Sequence, residues 1–110
     1  MKINKETEQR IVQLQLIEQN LQNFLIQKQN FQSQLIEIEN ALQELEKTKD
    51  TAYKIVGPVM IASDKDELKK DLKEKKEAFE LRIKNLEKQE KNLRDKATEL
   101  QQTVMKELKK

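Results

Sequence analysis

The side chains of this sequence that could take part in chemistry are almost all carboxylates and amines. The 110-residue chain has 20 Asp and Glu, 22 Lys and Arg, and no His, Cys or Trp. Acid–base catalysis by histidine, thiol nucleophiles and His/Cys metal sites are therefore excluded. A single glycine also excludes the Gly-rich loops that bind phosphates or dinucleotides. We expect no enzyme, no metal and no cofactor.

The charged residues are mixed in sign along the chain, which is typical of solvated helix faces. Lysines follow carboxylates at helical spacing, and the run LKKDLKEKK at 68–76 contains both signs. A basic region that reads DNA would be of one sign. The net charge of +2 creates no strong field toward nucleic acid or anionic lipid. We expect neither nucleic acid nor membrane as a partner.

The N-terminal sequence MKINKETEQR lacks the apolar core of a secretory signal. No stretch approaches the roughly 20 apolar residues that span a bilayer. The lack of cysteine is compatible with a reducing compartment. These features predict a soluble, cytoplasmic protein.

Two long helices must position these side chains. With 35% hydrophobic and 38% charged residues, the chain is too polar for an ordinary globular core. Disorder is the competing interpretation, but the apolar residues recur at alternating steps of three and four, as in a coiled coil. The first seam consists of Leu14, Ile17, Leu21, Phe24, Lys28, Phe31, Leu35, Ile38, Leu42 and Leu45. The second consists of Leu72, Lys76, Phe79, Ile83, Leu86, Glu90, Leu93, Ala97, Leu100 and Val104.

A β-rich segment, AYKIVGPVMIA at 52–62, separates the two helices. It holds the only glycine, Gly57, and the only proline, Pro58. Its composition predicts strands at 53–56 and 59–62, joined by a turn that we expect to be wide or irregular because proline is unusual at its third position. The first helix is expected to end near 47–49, and the spacing of Asp64 and Glu67 predicts a capping box for the second.

These elements predict a mainly α fold, a long antiparallel two-helix coiled coil with a single β-hairpin at the bend. The predicted bounds are about 4–49 for helix 1, 52–62 for the hairpin and 64–108 for helix 2, within one domain of residues 1–110. At about 1.5 Å per residue, each helix would extend on the order of 70 Å.

Each seam contains charged interruptions that fall in adjacent layers of an antiparallel alignment. Lys28 would face Leu86 or Leu93, and Glu90 lies one layer away. We hypothesise that Lys28 and Glu90 pair across the seam and help fix the register. The alternative is that each stem lies on the seam while its charge reaches solvent.

The hairpin is the first candidate binding site. Its residues Tyr53, Ile55, Val56, Val59, Met60 and Ile61 are apolar or aromatic, and an isolated two-stranded hairpin is marginally stable and has open edges. Several hairpins joined edge to edge would satisfy both needs. The alternative is that the strands fold back on the helix ends.

The second candidate lies at the ends of the helices near the chain termini. Apolar residues off the seam concentrate there, and Glu18 is the only charge within 11–27. Such a surface either binds a partner with apolar groups or is covered by a further coiled-coil helix. The predicted binding residues, here called the terminal apolar set, are Ile11, Val12, Leu14, Leu16, Val104, Met105 and Leu108.

The sequence AYKIVGPVMI at 52–61, followed by LKEKKEAFELRIKNLEKQE at 72–90, resembles the β-type subunit of prefoldin (GimC), of the archaeal β or eukaryotic subunit-six type. The resemblance covers nearly the whole chain. It implies a hexameric chaperone of two α and four β subunits that uses no ATP. Its hairpins join into β-barrels, and its coiled-coil ends hold unfolded clients for a group II chaperonin.

By position, the resemblance assigns assembly to Tyr53, Ile55, Val56, Gly57, Pro58, Val59, Met60 and Ile61, and contacts with clients and chaperonin to the terminal apolar set. The rival interpretation is a structural coiled-coil scaffold whose hairpin docks one fixed partner.

Overall fold

The computed structural model describes residues 4–49 and 51–109. Helix α1 is Lys5–Lys47, strand β1 is Ala52–Val56, strand β2 is Val59–Ser63, and helix α2 is Lys65–Leu108. The two long helices with an antiparallel hairpin between them confirm the predicted mainly α fold. The single domain of residues 1–110 includes positions outside the described residues and stays a prediction.

Polar side chains begin both helices. The Asn4 Oδ1 atom accepts a hydrogen bond of 2.7 Å from the backbone N–H of Thr7, which satisfies a donor that has no partner within α1. The Asp64 Oδ1 atom accepts one of 3.0 Å from the backbone N–H of Asp66. Asp64 therefore caps α2, but its side chain accepts from Asp66 and not from Glu67, so the donor predicted from the capping-box spacing was wrong.

Every predicted seam residue in both helices is buried or partly buried. The seam follows from its spacing, because steps of three and four keep one stripe of a helix facing its neighbour. Ile17, Ile38, Leu86 and Val104 are the most buried apolar seam positions. The apolar core is thus a narrow line of side chains along the facing sides of α1 and α2.

The described residues form two compact units. The first contains the described residues up to Gln29 together with those from Lys84 onward. In it, Arg10 contacts Glu107 and Lys28 contacts Glu90. As residue numbers rise along α1, their partners on α2 fall, so the helices run antiparallel in this unit.

The second unit is Asn30–Ile83 and includes the hairpin. Its seam contains an aromatic pair, Phe31 and Phe79, with ring centroids 5.5 Å apart and planes at 43°. The Arg82 guanidinium lies 5.7 Å from the centroid of Phe31, a cation–π arrangement. These rings pack the two helices together about four turns away from the hairpin.

Ion pairs flank the seam of the second unit. Lys76 Nζ lies 3.8 Å from Glu39 Oε1, and Lys69 Nζ lies 2.7 Å from Glu46 Oε1. The hydrogen bond from Lys69 and its positive charge lower the pKa of the exposed Glu46 carboxyl below its ordinary value. These pairs again connect rising positions on α1 with falling positions on α2.

The hairpin turn is tighter than expected. Val56 pairs with Val59, so only Gly57 and Pro58 form the loop. Gly57 has φ of +59°, and the proline ring holds φ of Pro58 near −65°. These are the φ signs of a type II′ turn, which places glycine first and matches the twist of the strands. The expectation of a wide or irregular turn was wrong because this turn type accepts proline at its third position.

Candidate binding surfaces

The end of α1 positions the hairpin through a small set of polar contacts. Lys65 Nζ donates a 3.0 Å hydrogen bond to the carbonyl of Thr48, and the Thr48 hydroxyl donates one of 2.7 Å to the carbonyl of Glu44. The Thr48 carbonyl lies just past the end of α1, where helical partners are lacking, whereas the Glu44 carbonyl also accepts the backbone N–H of Thr48 at 3.0 Å. The Lys65 ammonium, at the start of α2, thus caps the C-terminal end of α1 next to β1.

One face of the hairpin carries large apolar side chains. Tyr53 pairs with Ala62, and Ile55 pairs with Met60, and paired residues share a face of the sheet. Ile55 is 70% exposed and Met60 is 64% exposed. The side chains of this face are therefore mostly in contact with solvent.

The opposite face is also apolar near the turn. Val56 pairs with Val59, and Lys54 pairs with Ile61. Among the residues of the two strands, only Ala52, at the start of β1, is buried. The exposed hairpin residues, here called the hairpin apolar set, are Tyr53, Ile55, Val56, Val59, Met60 and Ile61. All six are between 47% and 70% exposed, so the helix ends do not cover them.

The edges of the hairpin are open as well. In the described part of the chain, β1 and β2 form a sheet of two strands and pair only with each other. Each strand therefore has an outer edge whose backbone groups face away from the sheet, the feature that lets another strand add to it. The hairpin combines exposed apolar side chains with available backbone hydrogen-bonding groups.

A groove of about 860 Å³ lies between β1 and the helices of the second unit. Its apolar lining includes Ala41, Leu45, Ala52, Tyr53, Ile55, Leu68, Leu72 and Ala78. The groove continues the apolar surface of Tyr53 and Ile55 onto the helices. A side chain brought in by a neighbouring strand would find apolar contacts there.

The terminal apolar set divides into exposed and covered members. Val12, Leu16 and Met105 are each more than half exposed. Ile11, Leu14 and Leu108 are partly buried, and Val104 is only 7% exposed. Leu14 and Val104 occupy the seam and pack toward the other helix, so they offer little surface in this conformation.

The outward face of α1 in the first unit is uncharged over a long stretch. Leu25 and Ile26 are exposed in addition to Val12 and Leu16. The exposed residues between these apolar side chains are mainly Gln and Asn, and Glu18 is the only charge within 11–27. The exposed positions of α2 in the same unit include nine charged residues, five of which are Lys. This unit therefore has a neutral, partly apolar face on α1 and a charged face on α2.

The structure brings Lys28 and Glu90 into contact. Lys28 Nζ lies 3.3 Å from Glu90 Oε2, and Glu90 is only 7% exposed. The other carboxylate oxygen, Oε1, lies 2.6 Å from Arg94 Nη2, one turn further along α2. Sequence reasoning missed Arg94, although its i+4 spacing from Glu90 is a usual signal of a helix ion pair. Control of the register by Lys28 and Glu90 stays a prediction.

A polar cluster at the ends of the helices was also missed. The Glu107 carboxylate contacts the guanidinium of Arg10 and the hydroxyl of Thr7. Thr7 and Arg10 continue the seam spacing back from Leu14, and Glu107 continues it beyond Val104. The steps of three and four extend to these positions, but each of them carries a polar side chain, so the apolar pattern ends before it reaches them.

None of the helices within 4–49 and 51–109 contains a stretch long and apolar enough to cross a membrane. Among the same residues, no group of three or more His, Cys, Asp or Glu side chains is placed to hold a metal ion.

Comparisons with known proteins agree with this architecture. A prefoldin subunit family model matches residues 8–110. The prefoldin beta subunit of Archaeoglobus fulgidus is 38% identical over 96 residues, which cover 86% of this chain and 83% of the relative. That of Methanospirillum hungatei is 36% identical over 108 residues, which cover 96% and 90%.

A solved structure shares the fold as well as the sequence. The crystal structure of the prefoldin beta subunit from Thermococcus strain KS-1 aligns with a TM-score of 0.87 and 36% identity. The alignment covers 96% of this chain and 94% of the other. The chain belongs to the prefoldin subunit family, whose members are non-catalytic, chaperone-type proteins that assemble with other prefoldin subunits.

Proposed function

We propose that this chain is a subunit of a hexameric co-chaperone, formed with an α-type prefoldin subunit in a ratio of two α to four β. Without using ATP, the assembly holds unfolded proteins in the cytoplasm and delivers them to a group II chaperonin. The observation that supports this most strongly is the hairpin apolar set, exposed on a two-stranded sheet with open edges.

Assembly through the hairpin satisfies two physical needs together. Complete burial of a large apolar side chain contributes about 1.5–3 kcal/mol. Burial of the exposed part of six such side chains would therefore contribute several kcal/mol per subunit. Strand addition at the edges of β1 and β2 would give the open backbone groups partners. The groove beside Tyr53 and Ile55 adds apolar contacts for a neighbouring strand.

Client binding suits the neutral face of α1 in the first unit. Val12 and Leu16 offer apolar surface to unfolded segments, and burial is worth about 25 cal/mol per Å² before the costs of association. Because the surrounding side chains are mainly uncharged Gln and Asn, they favour neither positively nor negatively charged clients. Several weak sites in one assembly then bind through avidity.

The assembly half of the proposal is tested by mixing the chain with an α-type prefoldin subunit. Size-exclusion chromatography with light scattering should show a mixed hexamer. Val56→Asp together with Val59→Asp should release monomers, because both side chains lie at the turn of the exposed hairpin. Gln89→Asp, an exposed change on α2, is the matched control. A stable homodimer that ignores the α-type subunit would support the scaffold alternative instead.

The proposed holding of unfolded clients is tested by the aggregation of reduced, unfolded lysozyme, which is diluted into buffer and followed by light scattering. The hexamer should suppress aggregation equally with and without ATP, and a group II chaperonin should take over the bound client. Ile11, Leu14 and Leu16 changed to Ser should weaken suppression while the hexamer stays intact. Unaltered suppression by such an intact hexamer would refute the assignment of these residues.

A further inference from the structure

The seam of the first unit ends in a polar layer. Thr7 and Arg10 hold the two seam positions before Leu14, and Glu107 follows Val104 at the same spacing. Thr7 is 2% exposed, and Arg10 and Glu107 are partly buried. A buried hydroxyl and a part-buried ion pair at this point require partners, and each finds them across the two helices.

The contacts form one continuous chain between the helices. The Arg10 guanidinium donates to Oε1 of Glu107, and the hydroxyl of Thr7 contacts Oε2. The same hydroxyl lies 2.8 Å from Oδ1 of Asn4, which also accepts the 2.7 Å hydrogen bond from the Thr7 N–H. We call Asn4, Thr7, Arg10 and Glu107 the polar clasp. The cap of α1 is thereby linked to the last turn of α2, which ends at Leu108.

This linkage makes the stability of one helix end depend on the other. Helix ends unwind most readily, because their terminal backbone groups lack partners within the helix. When the last turn of α2 unwinds, Thr7 and Arg10 lose Glu107. When the first two turns of α1 unwind, Glu107 loses both. Opening of the two ends is therefore cooperative.

The clasp also lies next to the covered members of the terminal apolar set. Leu14 and Val104 are the first apolar seam residues beyond it, and Ile11 and Leu108 are partly buried beside it in sequence. Opening of the clasp would expose these four side chains in addition to Val12, Leu16 and Met105. The apolar surface presented by this part of the chain is thus larger in the open state.

We infer that the polar clasp is a latch that controls how much apolar surface the helix ends present to an unfolded client. The closed state presents the exposed members of the terminal apolar set, and the open state adds the seam members. A client that contacts the seam members favours the open state by its differential binding. The latch rests on the proposed client binding, but the coupling of the helix ends does not.

Hydrogen exchange measured by mass spectrometry tests the coupling on the full chain assembled with the α-type subunit. Glu107→Gln removes the charge while keeping the size of the side chain. It should accelerate exchange of the α1 amides at 8–11 about two- to fivefold, as expected for loss of a part-exposed ion pair. Glu99→Gln, an exposed single-charge change on α2, is the matched control. Exchange at 8–11 that is unchanged, or equally accelerated by both variants, would overturn the latch.

A crosslink that holds the polar clasp closed tests whether the clasp controls client binding. Because the chain contains no cysteine, Arg10→Cys with Glu107→Cys introduces its only thiols, which a short bismaleimide can join. The crosslinked assembly should suppress lysozyme aggregation less than the same variant before crosslinking, and Glu107→Gln should suppress it more than the wild type. If hydrogen exchange shows that the helix ends are coupled but both variants suppress lysozyme aggregation as before, the clasp does not control client binding. A wild-type hexamer that held no lysozyme would refute the proposed function, while the exchange comparison would still decide the coupling.

Discussion

Replacement of the buried ion pair by leucine is the sharpest test of how the helices are aligned. Lys28→Leu with Glu90→Leu substitutes two apolar side chains for a 3.3 Å contact in the seam of the first unit. Glu90 is 7% exposed, and its other oxygen is held by Arg94 at 2.6 Å. The double change therefore replaces a charged layer that lies between apolar layers of the seam.

The expected change in stability follows from these contacts. Substitution of a buried ion pair by well-packed apolar side chains is neutral or stabilising by about 1–4 kcal/mol. The stem of Lys28 already packs along the seam, so we expect the lower end, about 1–2 kcal/mol. Lys28→Leu alone should destabilise by about 1–2 kcal/mol, because Glu90 keeps only Arg94. Glu90→Leu alone should be nearly neutral, because the Lys28 ammonium can reach solvent.

The expected change in specificity has the same origin. A slip of one heptad moves one helix about 10 Å past the other and separates Lys28 from Glu90. Because Arg94 lies on the same helix as Glu90 and stays with it, the slip costs about 1–2 kcal/mol, as in Lys28→Leu, and leucine at both positions removes that cost. Its removal would raise the population of slipped alignments roughly tenfold.

The assay combines urea unfolding, size-exclusion light scattering and distances between spin labels. Labels on Gln22→Cys and Lys96→Cys, both exposed in the first unit, report the alignment of the helices. The wild type should give one distance, and the double leucine variant should give a broader or second distance with raised stability. Both single variants serve as controls in a double-mutant cycle. Unchanged stability, oligomeric state and distance in the double variant would refute control of the register by this pair.

Four further substitutions probe the turn, the terminal apolar set and the exposed ion pair. Gly57→Ala should destabilise the hairpin by at least about 1 kcal/mol, because a φ of +59° is strained for alanine. No atom lies within 4 Å of the added methyl group, so the cost comes from the backbone conformation and not from a clash. The melting temperature of the assembly should fall. Leu16→Ser should change the free energy of unfolding by less than about 0.5 kcal/mol but weaken client holding. Leu14→Ser should lower the free energy of unfolding by about 2 kcal/mol, because Leu14 lies in the seam. Equal losses for the two variants in urea unfolding would contradict the assignment of Leu14 to the seam and Leu16 to the exposed surface. Lys69→Met should raise the pKa of Glu46 toward its ordinary value of 4.5, measured by NMR titration. Because the folded-state pKa is lowered, the small stabilisation by this pair is present above the unfolded-state pKa and is lost as the pH falls through the folded-state value.

The helices and the hairpin could be predicted because each depends on neighbours in the sequence. Steps of three and four place Leu14, Ile17 and Leu21 on one stripe of a helix, and no glycine or proline interrupts that stripe. Gly57 and Pro58 between two β-branched runs predict a turn between strands. The type of that turn was missed because it depends on the φ of Gly57, which the residue types alone left open.

The contacts across the helices needed the tertiary structure. The sequence restricted Lys28 to two possible partner layers, and only the folded alignment placed its ammonium beside Glu90. The polar clasp is the clearer case, because Thr7 and Glu107 are far apart along the chain and look like ordinary polar residues. Their meeting depends on the register of two long helices, which a local pattern does not specify.

The sequence by itself determined that the chain forms two helices and a hairpin, and that apolar residues gather in the hairpin and near the termini. Only the tertiary structure decided which of those residues are available for binding. The seam spacing already separates Leu14 from Leu16, but the sequence left open whether the hairpin strands fold back on the helix ends, and the six side chains of the hairpin apolar set are 47% to 70% exposed. The physical reason is that the exposure of these side chains depends on how the hairpin is placed against the helix ends, which a local pattern does not specify.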